Sequence, residues 1–381
     1  MKKLIKFLLI FFALVVAVAY ATDYDYLLKA VRTIYFKGHK TAYLDDYKVF
    51  ENRVIAKSSD PQPWNLHQAY NTVSVSDTME AYHKKMGTVA FMVIKNDSIW
   101  YEKYYEDYHK ASLSNSFSMA KSIVVSLMGK AIMEGKIKSL DQLVSYYFPQ
   151  FGKGLAKELT VGDLASMASG LEWDESYYSP FSITTRAYFY DDLENMMLTL
   201  NVVDQPGEAY KYLSGNTQLL GMIVEKATGK TMSEYLSENF WQPMGAENDA
   251  LWQVDKPEGI EKAYCCIASN ARDFSRFGKL YMQNGRWKNQ QILDSAMVAM
   301  FTRPRFEASP QYGYGWWLSS YKNKRIFLMN GHLGQYVICI PEDNLIITRL
   351  GHLKDIREEG DSFNKDFYAY IDEAYRMLNM N

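Results

Sequence analysis

The stretch Ser114–Gly129, SNSFSMAKSIVVSLMG, sets Ser118 three residues before Lys121 at the start of an apolar, helix-patterned run. At that spacing both side chains share one helix face. A serine hydroxyl is a poor nucleophile at neutral pH and needs a base beside it, and an amine one turn away can be that base. A serine at a helix start is equally a common N-cap. Ser-x-x-Lys recurs at Ser319–Lys322 and Ser362–Lys365, but only the first copy opens an apolar helix. The pattern alone leaves cap and nucleophile both open.

Two further segments carry reactive residue types. In QPGEAYKYLSGNTQLLG (Gln205–Gly221), Tyr212 and Ser214 follow a Pro-Gly turn and precede a helix. A loop-to-helix junction is a place where side chains converge on a cleft. In NGHLGQYVICI (Asn330–Ile340), His332-Leu333-Gly334 leads into a strand. Glycine there permits close approach of a ligand to the strand edge. A backbone N–H just beyond it can face an acyl oxygen. Taken singly, Tyr212 is one tyrosine among 30 and His332 one residue of a hairpin turn.

The elements that must position these residues are readable from pattern. Gly87–Asp107 reads as a β-hairpin with Asn96-Asp97 at the turn. Beyond Ser118, the residues Ile123, Val124, Leu127, Met128, Ala131 and Ile132 recur at helical spacing, and Gly135 ends the helix. From about 140 to 255 the pattern is mostly helical. Ser269–Arg286 is another amphipathic helix. YGYGWWLSS, KRIFLMNG and QYVICIPEDNLIITRLG read as antiparallel strands, and DSFNKDFYAYIDEAYRML closes the chain as a helix. Strands at both ends around a helical insertion predict an α+β fold: an antiparallel sheet flanked by helices, with an all-α subdomain at about 116–255.

Ser118-x-x-Lys121, Tyr212-x-Ser214 and His332-x-Gly334, in this order, resemble the serine hydrolases of the class C β-lactamase and penicillin-binding-protein superfamily. LTVGDLASMASGL and PGEAYKY…LLG are similar to further stretches of that superfamily. The likeness spans about residues 85–355. Within it, YLSGNTQLLG, MGAENDALW, ARDFSRFG, YGYGWW and GHLGQ are most similar to the 6-aminohexanoate-dimer hydrolase and carboxylesterase group. The chain departs from the wider pattern at Met167 (His there), Ser214 (Asn in β-lactamases) and His332 (Lys of Lys-Thr-Gly). The last two weigh against β-lactam hydrolysis.

The resemblance implies a β-lactamase/transpeptidase-like fold and roles for single residues. Ser118 would attack the acyl carbon of an ester or amide. Lys121 and Tyr212 would serve as general base and acid, the tyrosine as a phenolate favoured by the nearby ammonium, and Ser214 would hold their hydrogen-bond network together. The backbone N–H groups of Ser118 and Gln335 would face the oxyanion. Ser214, His332 and Gly334 would meet substrate, joined by Trp173, Tyr177 and Tyr178 from the aromatic loop SGLEWDESYYSPFSITTRAYFY; that loop packing on the helical subdomain is the alternative. No metal or organic cofactor is called for. A D-alanyl peptidase or β-lactamase, and a non-catalytic envelope binding protein, are the competing readings.

The whole chain sets bounds on partners. It has 381 residues, 48% hydrophobic, with a formal net charge of −2 and no clustered Lys/Arg, so nothing points to nucleic acid. The six histidines form no HExxH-like pair. MKKLIKFLLIFFALVVAVAYA has early lysines, an apolar run and an Ala-x-Ala site. It reads as a signal peptide cut after Ala21, or as a membrane tether through residues 7–21. Either implies an exported, periplasmic or extracytoplasmic protein. Residues 22–75 form an N-terminal extension packed on the main domain, 76–381. Adjacent Cys265 and Cys266 seldom bridge each other; one of them could pair with Cys339, but the odd count leaves a free thiol, and all three read as mostly buried small hydrophobes. The partner is a small or peptide-like ester or amide; the oligomeric state is left open.

Overall fold

The computed structural model describes residues 1–380, and the fold is α+β. A seven-stranded sheet runs in spatial order Trp317–Tyr321, Lys324–Gly331, Gln335–Ile340, Leu345–Gly351, Thr88–Lys95, Ser98–Tyr104 and Asn65–Leu66. All neighbours are antiparallel except the last, which lies parallel to Ser98–Ile99. Asn96 and Asp97, at φ 50° and 62°, close the 88–104 hairpin in the left-handed geometry that a two-residue turn needs. Thr88–Lys95 and Leu345–Gly351 pair at the sheet centre and are buried almost throughout. Both of their faces are covered, which is why their sequences are continuous apolar runs rather than alternations.

One face of the sheet packs on the closing helix Lys365–Met377 and on Asp77–Lys85, through Phe91, Val93, Ile347, Phe367 and Tyr370. The other packs on Ala271–Met282 and on the helix that follows Ser118, Ala120–Met133. Gly135, at φ 68°, stops that helix where expected. From there to about residue 250 the helices are mostly short, such as Ile183–Phe189, with the 15-residue Ser214–Thr228 the exception.

A second, four-stranded antiparallel sheet runs Asn52–Ile55, Ala250–Gln253, Ile267–Ser269, Ser114–Asn115. The helical reading to residue 255 missed Ala250–Gln253. This sheet ends at Asn115, three residues before Ser118. The 22–75 segment is not merely laid on the main body: it places Asn52–Ile55 in one sheet and Asn65–Leu66 in the other. The helix Lys2–Ala21 buries no residue, and its mean hydropathy of 2.6 makes it long and apolar enough to cross a membrane.

Candidate active site

Ser118 lies in the turn Phe117–Met119, which leads into Ala120–Met133. It caps nothing: neither the turn nor the helix has a side-chain cap. Phe117, just before it, sits at φ 45°, an uncommon conformation for a bulky residue. Asn115 Oδ1 accepts from the Phe117 N–H at 2.8 Å and stabilises that turn. Asn115 in turn donates to the fully buried carboxylate of Asp46 at 2.8 Å, which also accepts from the Tyr188 hydroxyl. The orientation of Ser118 is thereby tied to residue 46 of the extension.

Lys121 is buried, and its Nζ lies 3.0 Å from Ser118 Oγ and 2.8 Å from the carbonyl of Tyr264. It makes no ion pair among the described residues, and its nitrogen sits 5.2 Å from the centre of the Tyr212 ring. Burial brings its pKa down to about 8, against an upward pull from Glu175. Tyr212 packs on Tyr312 and Trp317 with ring centroids 5.9 and 5.3 Å away. Its phenol is pushed well up by burial and by Glu175, with only a hydrogen bond to Ser118 acting the other way. The expected phenolate is therefore disfavoured, and Tyr212 holds its proton.

Glu175 is the residue that motif reading passed over. Its carboxylate accepts from the Ser214 N–H, the Ser214 hydroxyl and the Tyr177 hydroxyl, each at 2.6 Å. It thus serves the buried N-terminal end of Ser214–Thr228, where an anion is favoured. Ser214 spends its hydroxyl on Glu175 rather than linking Lys121 to Tyr212. Trp173 lies behind this site: its Nε1 donates to Thr184 Oγ1 at 2.9 Å and its ring presses on Gly215, where a Cβ would stand 2.6 Å from the indole.

The strand Lys324–Gly331 brings His332 to the Ser118 turn. The His332 ring meets Phe117 edge-on at 5.6 Å and Tyr177 at 5.3 Å, with Tyr178 at 6.4 Å. Its Nε2 is buried without a partner, and burial drives its pKa down to about 3, so the imidazole is neutral. Buried Arg349 holds the corner behind it, donating to the carbonyls of Leu333 and Gly334 at 2.9 Å each. Gly334 faces Arg349 and Asp366 rather than the cleft. Gln335 starts the next strand opposite Gly331, and its side chain is spent on the carbonyls of His332 and Gly351.

Ser118, Ser214, His332, Tyr177 and Tyr178 open on one cleft of ≈ 790 Å³, its open mouth included. Cys265 also lines it, bonded to Cys266, so the expectation that neighbouring cysteines stay unpaired is overturned. Cys339 is free and buried, as expected. Among the described residues no three His, Cys, Asp or Glu side chains gather as metal ligands.

The model of the Beta-lactamase family matches residues 75–361, more than half of the chain. The chain belongs to the β-lactamase family. Members of this family are hydrolases, amidases and esterases. The β-lactamase-family chain is 25% identical over 291 residues to 6-aminohexanoate-dimer hydrolase of Paenarthrobacter ureafaciens, covering 70% of this chain and 73% of that one. A Bacillus anthracis structure assigned as a 6-aminohexanoate-dimer hydrolase superposes with a TM-score of 0.72 at 19% identity, over 89% of this chain and 94% of that one. A class C β-lactamase superposes with a TM-score of 0.59 at 17% identity, over 80% and 94%. The resemblance read from the motifs holds at the level of family and fold.

Proposed function

We propose that this β-lactamase-family chain is a serine hydrolase that cleaves a small ester or amide through an acyl-enzyme on Ser118. The observation that most supports it is the buried Lys121 amine, 3.0 Å from Ser118 Oγ, with its pKa lowered to about 8. Ser118 Oγ attacks the carbonyl carbon as its proton passes to the neutral form of Lys121. The oxyanion then lies between backbone N–H groups of Ser118 and Gln335, each such donor worth about 3 kcal/mol. Tyr212, protonated, delivers a proton to the leaving oxygen or nitrogen and regains one from the Lys121 ammonium. Water, deprotonated by the same base, releases the acid. His332, Tyr177 and Tyr178 border the substrate. A neutral His332 is a poor partner for a β-lactam carboxylate, which favours simple esters and amides.

The test is turnover of short-chain nitrophenyl esters and anilides by the native chain and by Ser118→Ala. At least one series should be hydrolysed by the native chain, and Ser118→Ala should fall to the background rate. Equal turnover by both, or by neither, returns the chain to a binding role. The exposed apolar helix Lys2–Ala21 supports export to a periplasmic or extracytoplasmic site, with residues 22–75 and 76–381 as extension and hydrolase domain. N-terminal sequencing of the native protein from membrane and soluble fractions distinguishes cleavage after Ala21 from a retained tether.

A further inference from the structure

One wall of the Ser118 cleft comes from outside residues 75–361, the part that matches the family. Ala30, Ile34, Thr41 and Ala42 of the extension line it beside Pro180, Tyr188 and Phe189. The extension is fastened to these neighbours. The Tyr26 hydroxyl donates to the Pro180 carbonyl at 3.1 Å, Lys29 pairs with Asp191, and Asp46 accepts from Tyr188. No carboxylate lines the cleft, and its one cationic residue, Lys40, is exposed. Tyr212, whose phenol hydrogen-bonds Ser118, packs its ring on Tyr312 and Trp317, neither of which lines the cleft beside the extension. The phenol that would protonate the leaving group and the extension wall therefore address different parts of a substrate bound at Ser118.

We propose that the wall formed by Ala30, Ile34, Thr41 and Ala42 is an acyl subsite, which selects esters or amides with an uncharged apolar acyl chain. This rests on the serine-hydrolase reading of Ser118. The leaving group exits on the Tyr212 side, and the acyl chain lies along the extension against Tyr188 and Phe189. A chain carrying an ammonium at its far end finds no carboxylate there and is disfavoured.

The experiment is kcat/KM for nitrophenyl acetate, butyrate, hexanoate and octanoate, with the native chain, Ala42→Phe and Ile34→Ala. Each methylene that stays in the cleft should raise kcat/KM by about two- to fourfold. Ala42→Phe fills the subsite, and its octanoate-to-acetate ratio should fall at least tenfold. Ile34→Ala enlarges it, and its optimum should move to a longer chain. Because each ratio is taken on one preparation, a loss of folded protein cancels. A native profile flat in chain length, or a ratio unmoved in both variants, overturns the subsite while leaving the serine mechanism standing. Binding to Ser118→Ala, read by quenching of intrinsic fluorescence, separates the two claims. If the native chain turns over no ester, yet Ser118→Ala binds nitrophenyl octanoate more tightly than acetate and Ala42→Phe in that background erases the preference, the mechanism fails and the subsite holds. Equal binding of both esters overturns the subsite.

Discussion

Burial strips water from the Lys121 ammonium and brings its pKa down to about 8, while the charge of Glu175 pulls it up. Only the neutral amine can take the Ser118 proton, so kcat/KM should rise with pH through about 8. Glu175→Gln removes the upward pull, so the ascending limb should move to lower pH. Its melting temperature should also fall, because the Ser214 N–H loses a charged acceptor at the helix start. Lys121→Arg keeps its charge throughout, and both limb and activity should vanish. A limb that stays in place in Glu175→Gln contradicts this account of the base. Tyr212 stood out in the sequence as a candidate, but its protonation state did not. Burial raises its pKa, and the carboxylate that adds to this, Glu175, lies 37 positions away in sequence. The Glu175–Ser214 contact likewise spans 39 residues, and nothing in the local pattern marks it.

The Ser118 turn is held between two elements, the 114–115 end of the small sheet and the strand Lys324–Gly331. Gly331 lets the strand close in: a Cβ there would stand 2.3 Å from the backbone carbonyl of Ser116. Gly331→Ala must therefore push the strand off the turn. The expected cost is about 1–3 kcal/mol of stability, together with a drop in kcat of at least about tenfold, the order seen when reacting groups are slightly misplaced. Thermal unfolding and steady-state kinetics on the same sample check it; a native kcat would mean that the strand end does not set the position of Ser118. The 88–104 hairpin and the Ala120–Met133 helix were legible because each has a strong period and a clear stop. Ala250–Gln253 and Ile267–Ser269 were not, because four and three residues are too few to show a period.

At the scale of the whole molecule, the extension crosses from one sheet to the other and supplies Asp46 behind the Ser118 turn. It should therefore unfold with the core. Amides of Asn52–Ile55 should exchange with deuterium as slowly as those of Ala250–Gln253, the strand they pair with. Exchange far faster than that partner would mean an independently opening arm. The sequence marked this segment as distinct through its broken pattern at KSSDPQPWN, but could not say that it is built in. Its strands find partners 195 or more residues away in one case and about 33 away in the other. The central claim, that Ser118 is a nucleophile activated by Lys121, is tested most directly by intact mass. Residues 22–381 and the Ser118→Ala variant are exposed to a fluorophosphonate and weighed. The account predicts one phosphonyl adduct on the native chain and none on Ser118→Ala. Labelling of neither, or of both alike, would contradict it.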